Sequence, residues 1–155
     1  MTTSDAAVDA AAAHDSEPIR VLFVCTHNSA RSIMAEALLR AKGGGRFEVY
    51  SAGTESGEVR PLTLRVLGDA GLPTDSMRSK PVAEFLGQRF DYVITVCDSA
   101  RQVCPTFPGE GERLHWSLED PSEVEGSEEE RLQAFRRVFE AIDQHIDRFL
   151  ARGRP

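Results

Sequence analysis

The residues Ile19–Val24 restrict this chain more than any others. They form an almost continuous apolar run, broken only by Arg20, and such a run suits a strand buried on both faces. The run leads straight into a polar stretch, Cys25-Thr26-His27-Asn28-Ser29-Ala30-Arg31-Ser32. Ile33, Met34, Ala37, Leu38 and Ala41 then recur at helical spacing, and Gly43-Gly44-Gly45 stops that helix. A strand buried on both faces that feeds a helix is the unit from which parallel sheets are built.

The rest of the chain repeats the alternation. Phe47–Ser51 reads as a second strand closed by Gly53, and Leu62, Val66, Leu67 and Ala70 mark a helix between Pro61 and Gly71. A short helix is expected at Val82–Leu86, a third strand at Asp91–Val96, a short helix at Asp98–Val103 and a fourth strand at Leu114–Leu118. Ser127 and Glu130 make a capping box for a long last helix, whose apolar stripe is Leu132, Phe135, Phe139, Ile142, Ile146 and Phe149. The expected fold class is α/β: a single three-layer domain over residues 18–151, with an open four-stranded parallel sheet and helices on both faces. Residues 1–17 are rich in Ala, Asp and Ser, and read as a disordered N-terminal tail.

Charge and cysteine count narrow the function. Lys and Arg total 18 against 25 Asp and Glu, a formal charge of -7, which argues against a nucleic-acid-binding surface. No apolar run approaches the roughly 20 residues that cross a bilayer, and Ala6–Ala13 is interrupted by Asp9 with no basic region before it, unlike a secretion signal. Three cysteines are an odd number for a disulfide scaffold, so a reducing, cytoplasmic setting is expected, where thiols are free for chemistry. They have no histidine spacing of the kind that makes a zinc site, and no metal is expected.

Ligands of open parallel sheets sit beyond the carboxyl ends of the strands. Three polar features follow strands there: Cys25–Ser32, Cys97–Cys104 and Asp120-Pro121. A loop between a buried strand and a helix turns successive backbone N–H groups into one concavity at the positive end of a helix dipole, a nest for a tetrahedral oxyanion. Thr26, His27, Asn28, Ser29, Ala30 and Arg31 are the oxyanion-binding candidates, and Arg31 adds a planar fork for two oxygens. The same field favours a thiolate over a thiol, which makes Cys25 the candidate nucleophile, with Ser32 as a donor to its sulfur and Asn28 as a brace. His27 reads as a space-filling loop residue, His115 and Trp116 as one core and one site residue, and His145 as solvated.

The stretch Val21–Ser32, with Met34-Ala35-Glu36-Ala37, Ser51-Ala52-Gly53, Val93-Ile94-Thr95-Val96-Cys97, Cys104-Pro105, His115-Trp116 and Asp120-Pro121, resembles the low-molecular-weight protein tyrosine phosphatases and the arsenate reductases built on that fold. Phosphatases of this fold typically carry an aromatic residue after the Asp-Pro pair, where this chain has Ser122. The reductase branch carries further cysteines after the third strand, as Cys97 and Cys104 do here, whereas Ala30 stands where some reductases have another cysteine. The resemblance therefore implies reduction of arsenate to arsenite by a thioredoxin-coupled, three-cysteine reductase, with phosphate monoester hydrolysis as the alternative.

What the resemblance implies is a relay. Cys25 attacks arsenate, Asp120 protonates the departing oxygen, Cys97 attacks Cys25 and releases arsenite, and Cys104 attacks Cys97. No bound cofactor is implied. Reducing equivalents come from thioredoxin, or from glutaredoxin or a low-molecular-weight thiol, and phosphate or sulfate competes with arsenate. Asn28, Glu36, Ser51 and Asp75 resemble positions that bind potassium in some of these reductases. One physical demand is independent of the family. Across a helix, Cys97 and Cys104 stand roughly 10 Å apart along the axis, at about 1.5 Å per residue, whereas a disulfide needs Cα atoms within about 7 Å. That segment must unwind or bend on oxidation.

Overall fold

The structure, a computed structural model, describes residues 17–55 and 57–152. The expected tail therefore lies outside the described residues, apart from Glu17. Four strands, β1 (Ile19–Cys25), β2 (Phe47–Gly53), β3 (Tyr92–Thr95) and β4 (Glu112–His115), pair in the order β2-β1-β3-β4. Every pairing is parallel. The helices are α1 (Arg31–Gly43), α2 (Pro61–Asp69), α3 (Asp98–Val103) and α4 (Glu128–Ala151), joined by 3-10 turns at Gly44–Arg46, Val82–Phe85 and Pro121–Glu123. No helix among the described residues is long and apolar enough to cross a membrane.

β1 is central, and Val21 through Val24 are wholly buried, as the apolar run requires. Arg20 escapes that burial at the strand's start. Its guanidinium donates to Glu48 and Gln88 and lies over the Tyr50 and Phe90 rings. Strand alternation separates two aromatic clusters. Phe23, Tyr92 and Trp116 pack toward Phe149 of α4, and Tyr50 on the other face meets Phe85 and Phe90. α1 is squeezed between the sheet and α4, so it buries 9 of its 13 residues, including the polar Ser32 and Glu36. The capping box of α4 forms as the sequence predicts: Ser127 Oγ accepts from Glu130 N, and Glu130 accepts from Ser127 N.

One expected strand moves. β4 runs over Glu112–His115, not Leu114–Leu118. It is an edge strand, where charged residues such as Glu112 and Arg113 blunt exposed backbone groups and hide the strand from an apolar search. Trp116 N still donates to Thr95 O of β3, and Ser117-Leu118 then leaves the sheet toward Arg31, whose guanidinium donates to Leu118 O. The fold's decisive feature is the reversal at β1. The chain crosses from β1 to β2 on one side, then back past β1 to β3. The crevice at such a switch point lies between the carboxyl ends of β1 and β3, where Cys25 and Cys97 stand.

Candidate active site

Cys25 ends β1 opposite Gly53. The loop after it passes so close that a Cβ on Gly53 would lie 2.6 Å from the Thr26 carbonyl oxygen and 2.9 Å from Asn28 N. Five of the loop's carbonyls are engaged. Cys25 O accepts from Thr54 N, Thr26 O from Glu55 N, His27 O from Ser79 Oγ, Ser29 O from Arg60 N and Thr63 Oγ1, and Ala30 O from Met34 N. The N–H groups of His27–Ala30 donate to no protein acceptor among the described residues. No side chain caps the start of α1 either. A run of free N–H groups at a helix N-terminus is the donor set of an anion site. Asn28 makes the loop's turn, with φ at 53°, the left-handed region that Asn tolerates better than most residues. A cleft of about 350 Å³ opens beside the loop, lined by His27, Ser29 and residues 57–61.

Beneath the loop runs a buried chain of polar side chains. Cys25 Sγ lies 2.8 Å from Ser32 Oγ. Asn28 Nδ2 donates to Ser32 Oγ at 2.7 Å and to Ser51 Oγ at 3.0 Å, while its Oδ1 accepts from Lys80 N at 2.8 Å. The Lys80 amide fixes the Asn28 orientation, because a flipped side chain would set its NH2 group against that N–H. Both Asn28 amide protons are thereby committed. Ser32 Oγ accepts one of them, which leaves its own proton for the Cys25 sulfur. Ser51 Oγ donates to Glu36, whose carboxylate also pairs with Arg40 at 2.6 Å.

Arg31 lies above the loop. Its Nη1 donates to Leu118 O at 3.1 Å, and its Nη2 is 3.5 Å from Asp120 Oδ2. Asp120 Oδ1 accepts from both N and Oγ of Ser122. Burial pushes the Asp120 carboxyl up, but the Ser122 bonds, with the charges of Arg31 and Arg60, more than offset it and hold the group below its ordinary value.

All three cysteines are free thiols. Cys97 is buried and its Sγ lies 3.3 Å from Thr26 Oγ1, which sets it against the Cys25 loop. Cys97 and Cys104 are the two caps of α3, so the expected helix does separate them. Cys104 is half-buried, its thiol donating weakly to Pro105 O at 3.6 Å. Burial pushes that thiol up, opposed by the nearby Arg113. The structure thus brings Cys25, Ser32, Asn28, Arg31, Asp120 and Cys97 together, with Cys104 at the far end of α3.

The histidines sort differently from one another. His27 faces solvent and pairs with Glu55 at 3.2 Å. Trp116 is the core member of its pair, while His115 bonds Thr95 and Asp98 rather than the loop. His145 is not simply solvated, because it stacks on Trp116 at 4.8 Å between ring centroids. Asp75 also departs from expectation. It is exposed, and the place beside Glu36 and Ser51 is taken by the Lys80 ammonium, 3.9 Å from Glu36 Oε1 and 3.4 Å from Ser51 Oγ. Sequence reasoning missed Lys80, because a lysine in a loop between two strands carries no local sign of burial.

A parallel α/β sheet with a cysteine, an anion-binding loop and an arginine at its switch point defines a thiol-based oxyanion enzyme. The family model for low molecular weight phosphotyrosine protein phosphatase matches residues 20–153, and the chain belongs to that family. An arsenate reductase of Halalkalibacterium halodurans is 37% identical over 134 residues, 86% of this chain and 96% of that protein. Among solved structures, an arsenate reductase in a phosphate-binding state superposes with a TM-score of 0.75 at 29% identity, covering 86% of this chain and 98% of the other. A thioredoxin-dependent arsenate reductase of Corynebacterium glutamicum has a TM-score of 0.65 at 33% identity, covering 94% of this chain and 67% of the other.

Proposed function

We propose that this chain is an arsenate reductase that works by a three-cysteine relay. The observation that carries this reading is the placement of a second buried thiol, Cys97, against the loop that holds Cys25, with Cys104 at the other end of the same short helix. Hydrolysis of a phosphoryl-cysteine needs only water and gives neither thiol a role. Ser122 also offers no ring to an aryl phosphate, and its hydroxyl is spent on Asp120. The arsenate reductases among the relatives support the same substrate.

In the first step the loop N–H groups and Arg31 hold arsenate, and the Cys25 thiolate forms a sulfur–arsenic bond. An arsenic–oxygen bond breaks and the departing oxygen takes a proton from Asp120. The Cys97 thiolate then attacks the Cys25 sulfur. A sulfur–sulfur bond forms, the sulfur–arsenic electron pair passes to arsenic, and arsenic leaves as arsenite two electrons richer. Cys104 as thiolate attacks the Cys97 sulfur, which frees Cys25 and closes a Cys97–Cys104 disulfide. A dithiol reductant of the thioredoxin type reopens it. Glutaredoxin or a small thiol would act on the earlier Cys25–Cys97 stage. Three free thiols with these duties suit the reducing cytoplasm.

The test is a single turnover without reductant, reading arsenite per enzyme and the disulfides by mass spectrometry. Unmodified protein yields one arsenite and a Cys97–Cys104 bond. Cys104→Ser yields one arsenite and stops with Cys25 bonded to Cys97, whereas Cys97→Ser and Cys25→Ser yield none. Equal arsenite from Cys97→Ser and unmodified protein overturns the relay. Steady hydrolysis of a phosphate ester with no arsenite favours the phosphatase.

A further inference from the structure

We infer that Lys80, acting with Glu36, is a remote positioning residue for the Cys25 sulfur. The inference rests on Cys25 being the nucleophile and names what fixes its hydrogen-bond donor. Lysine is among the residue types least often buried, yet Lys80 is only 9% exposed and Glu36 only 4%. Two ions taken out of water gain stability only where their remaining lone pairs and protons are satisfied. Here the satisfying partners lead to the reactive sulfur. Lys80 Nζ donates to Arg78 O at 2.7 Å and to Ser51 Oγ at 3.4 Å.

The two cations of Glu36 are not equivalent. Arg40 engages Oε2 from a half-exposed position, while Lys80 faces Oε1, the oxygen that takes the Ser51 proton. The ammonium holds negative charge on that oxygen, so Ser51 remains a donor to Glu36 and an acceptor from Asn28. Asn28 then keeps one amide proton on Ser51 and the other on Ser32, and the Ser32 proton points to sulfur. Chains of this kind polarise one another in a water-free interior. Lys80 acts a second time through its backbone, since its N–H orients Asn28. Burial depresses the Lys80 ammonium below its ordinary value, and Glu36 offsets only part of that. The other charges facing it are Arg40 on α1, the adjacent Arg78 and Glu84 in the turn that follows.

The experiment reads the Cys25 sulfur directly. Reduced full-length protein is alkylated with iodoacetamide across a pH series, and the rate at Cys25 is followed by peptide mass spectrometry. The midpoint should rise by about one pH unit in Lys80→Met and in Ser51→Ala. The double variant should match Ser51→Ala alone, because both act through the one hydroxyl. Lys80→Gln keeps donors but loses charge, guards against a misfolded methionine variant, and should also raise the midpoint. An unchanged midpoint in Ser51→Ala, or in both Lys80 variants, overturns the inference. Shifts that add in the double variant overturn it too, since they would mark a direct field of Lys80 on sulfur. A midpoint that moves as expected in a protein that makes no arsenite separates the two readings: the relay to sulfur stands and the proposed reaction falls.

Discussion

Arg31 is oriented before any anion arrives. Its side chain is 12% exposed and its guanidinium is held between the Leu118 carbonyl and Asp120, so little side-chain freedom is left to lose on binding. Lysine cannot reproduce that fork. Arg31→Lys should lower kcat/KM for arsenate by about 100-fold, and steady-state kinetics showing less than a few-fold loss would remove Arg31 from the anion. Asp120 poses the opposite problem. It rests ionised at neutral pH, because the Ser122 bonds and the Arg31 and Arg60 charges outweigh the upward push of burial. A bound oxyanion supplies like charge and occupies the Arg31 fork, and both changes raise the carboxyl toward a working acid. Ser122→Ala deletes one hydrogen bond to the ionised form, so the basic limb of the pH–kcat profile should move to higher pH by up to about one unit. A limb that does not move belongs to another group. Cys25, Arg31 and Ser32 were legible in sequence because one contiguous loop carries them. Lys80 and the pairing of Ser51 with Glu36 were not, because their partners come from three separate segments and meet only in the folded interior.

At the scale of elements, α3 matters most because the proposed relay must take it apart. Six residues are too few to hold a helix in water, so its neighbours hold it. The strap is β4 and its extension, where alternate residues share one face. Arg113 donates to the carbonyls of Cys104 at 3.4 Å and Pro105 at 2.7 Å. His115 Nε2 lies 2.9 Å from Asp98 Oδ1, which also accepts from Ser117 at 3.4 Å. Both ends of α3 are therefore tied to the same edge strand. Asp98 also sits in the first turn of α3, where a carboxylate complements the helix dipole. Asp98→Ala removes a tie and a favourable charge together, so Cys97–Cys104 closure after one arsenate turnover should quicken several-fold. Acid-quenched alkylation and mass spectrometry measure it, and an unchanged rate would place the slow step outside helix opening. That a helix separates Cys97 from Cys104, so that the proposed disulfide requires α3 to open, was legible from the cysteine spacing alone. The strap was not, since Arg113 and His115 look like ordinary edge-strand residues until their partners are known.

For the whole molecule, the question is how a chain with a formal charge of -7 binds an anion. The answer is local. The sheet order places the β1 loop, the β3–α3 junction and the segment after β4 around one crevice, where free N–H groups and Arg31 face the ligand. That convergence was legible from the alternation of strands and helices, because parallel strands leave all their following loops on one edge. A site made by three distant segments exists only in the folded chain, so an anion that fills it must stabilise the fold. At 100 times its dissociation constant a ligand adds about 2.7 kcal/mol, and a domain of this size gains about 2–4 °C per kcal/mol. Phosphate, sulfate and arsenate should each raise the Tm of the reduced protein, approaching about 5–10 °C at that saturation. The N–H nest and the fork recognise tetrahedral shape and charge, not the central atom. Phosphate should accordingly compete with arsenate, raising its KM without changing kcat. Arg31→Ala should lose most of the thermal shift, while Cys104→Ser, remote from the anion, should keep it in full. Equal shifts in the Arg31→Ala and unmodified proteins, measured at matched ionic strength, would mean that the anions act on the surface at large and not in the Cys25 loop.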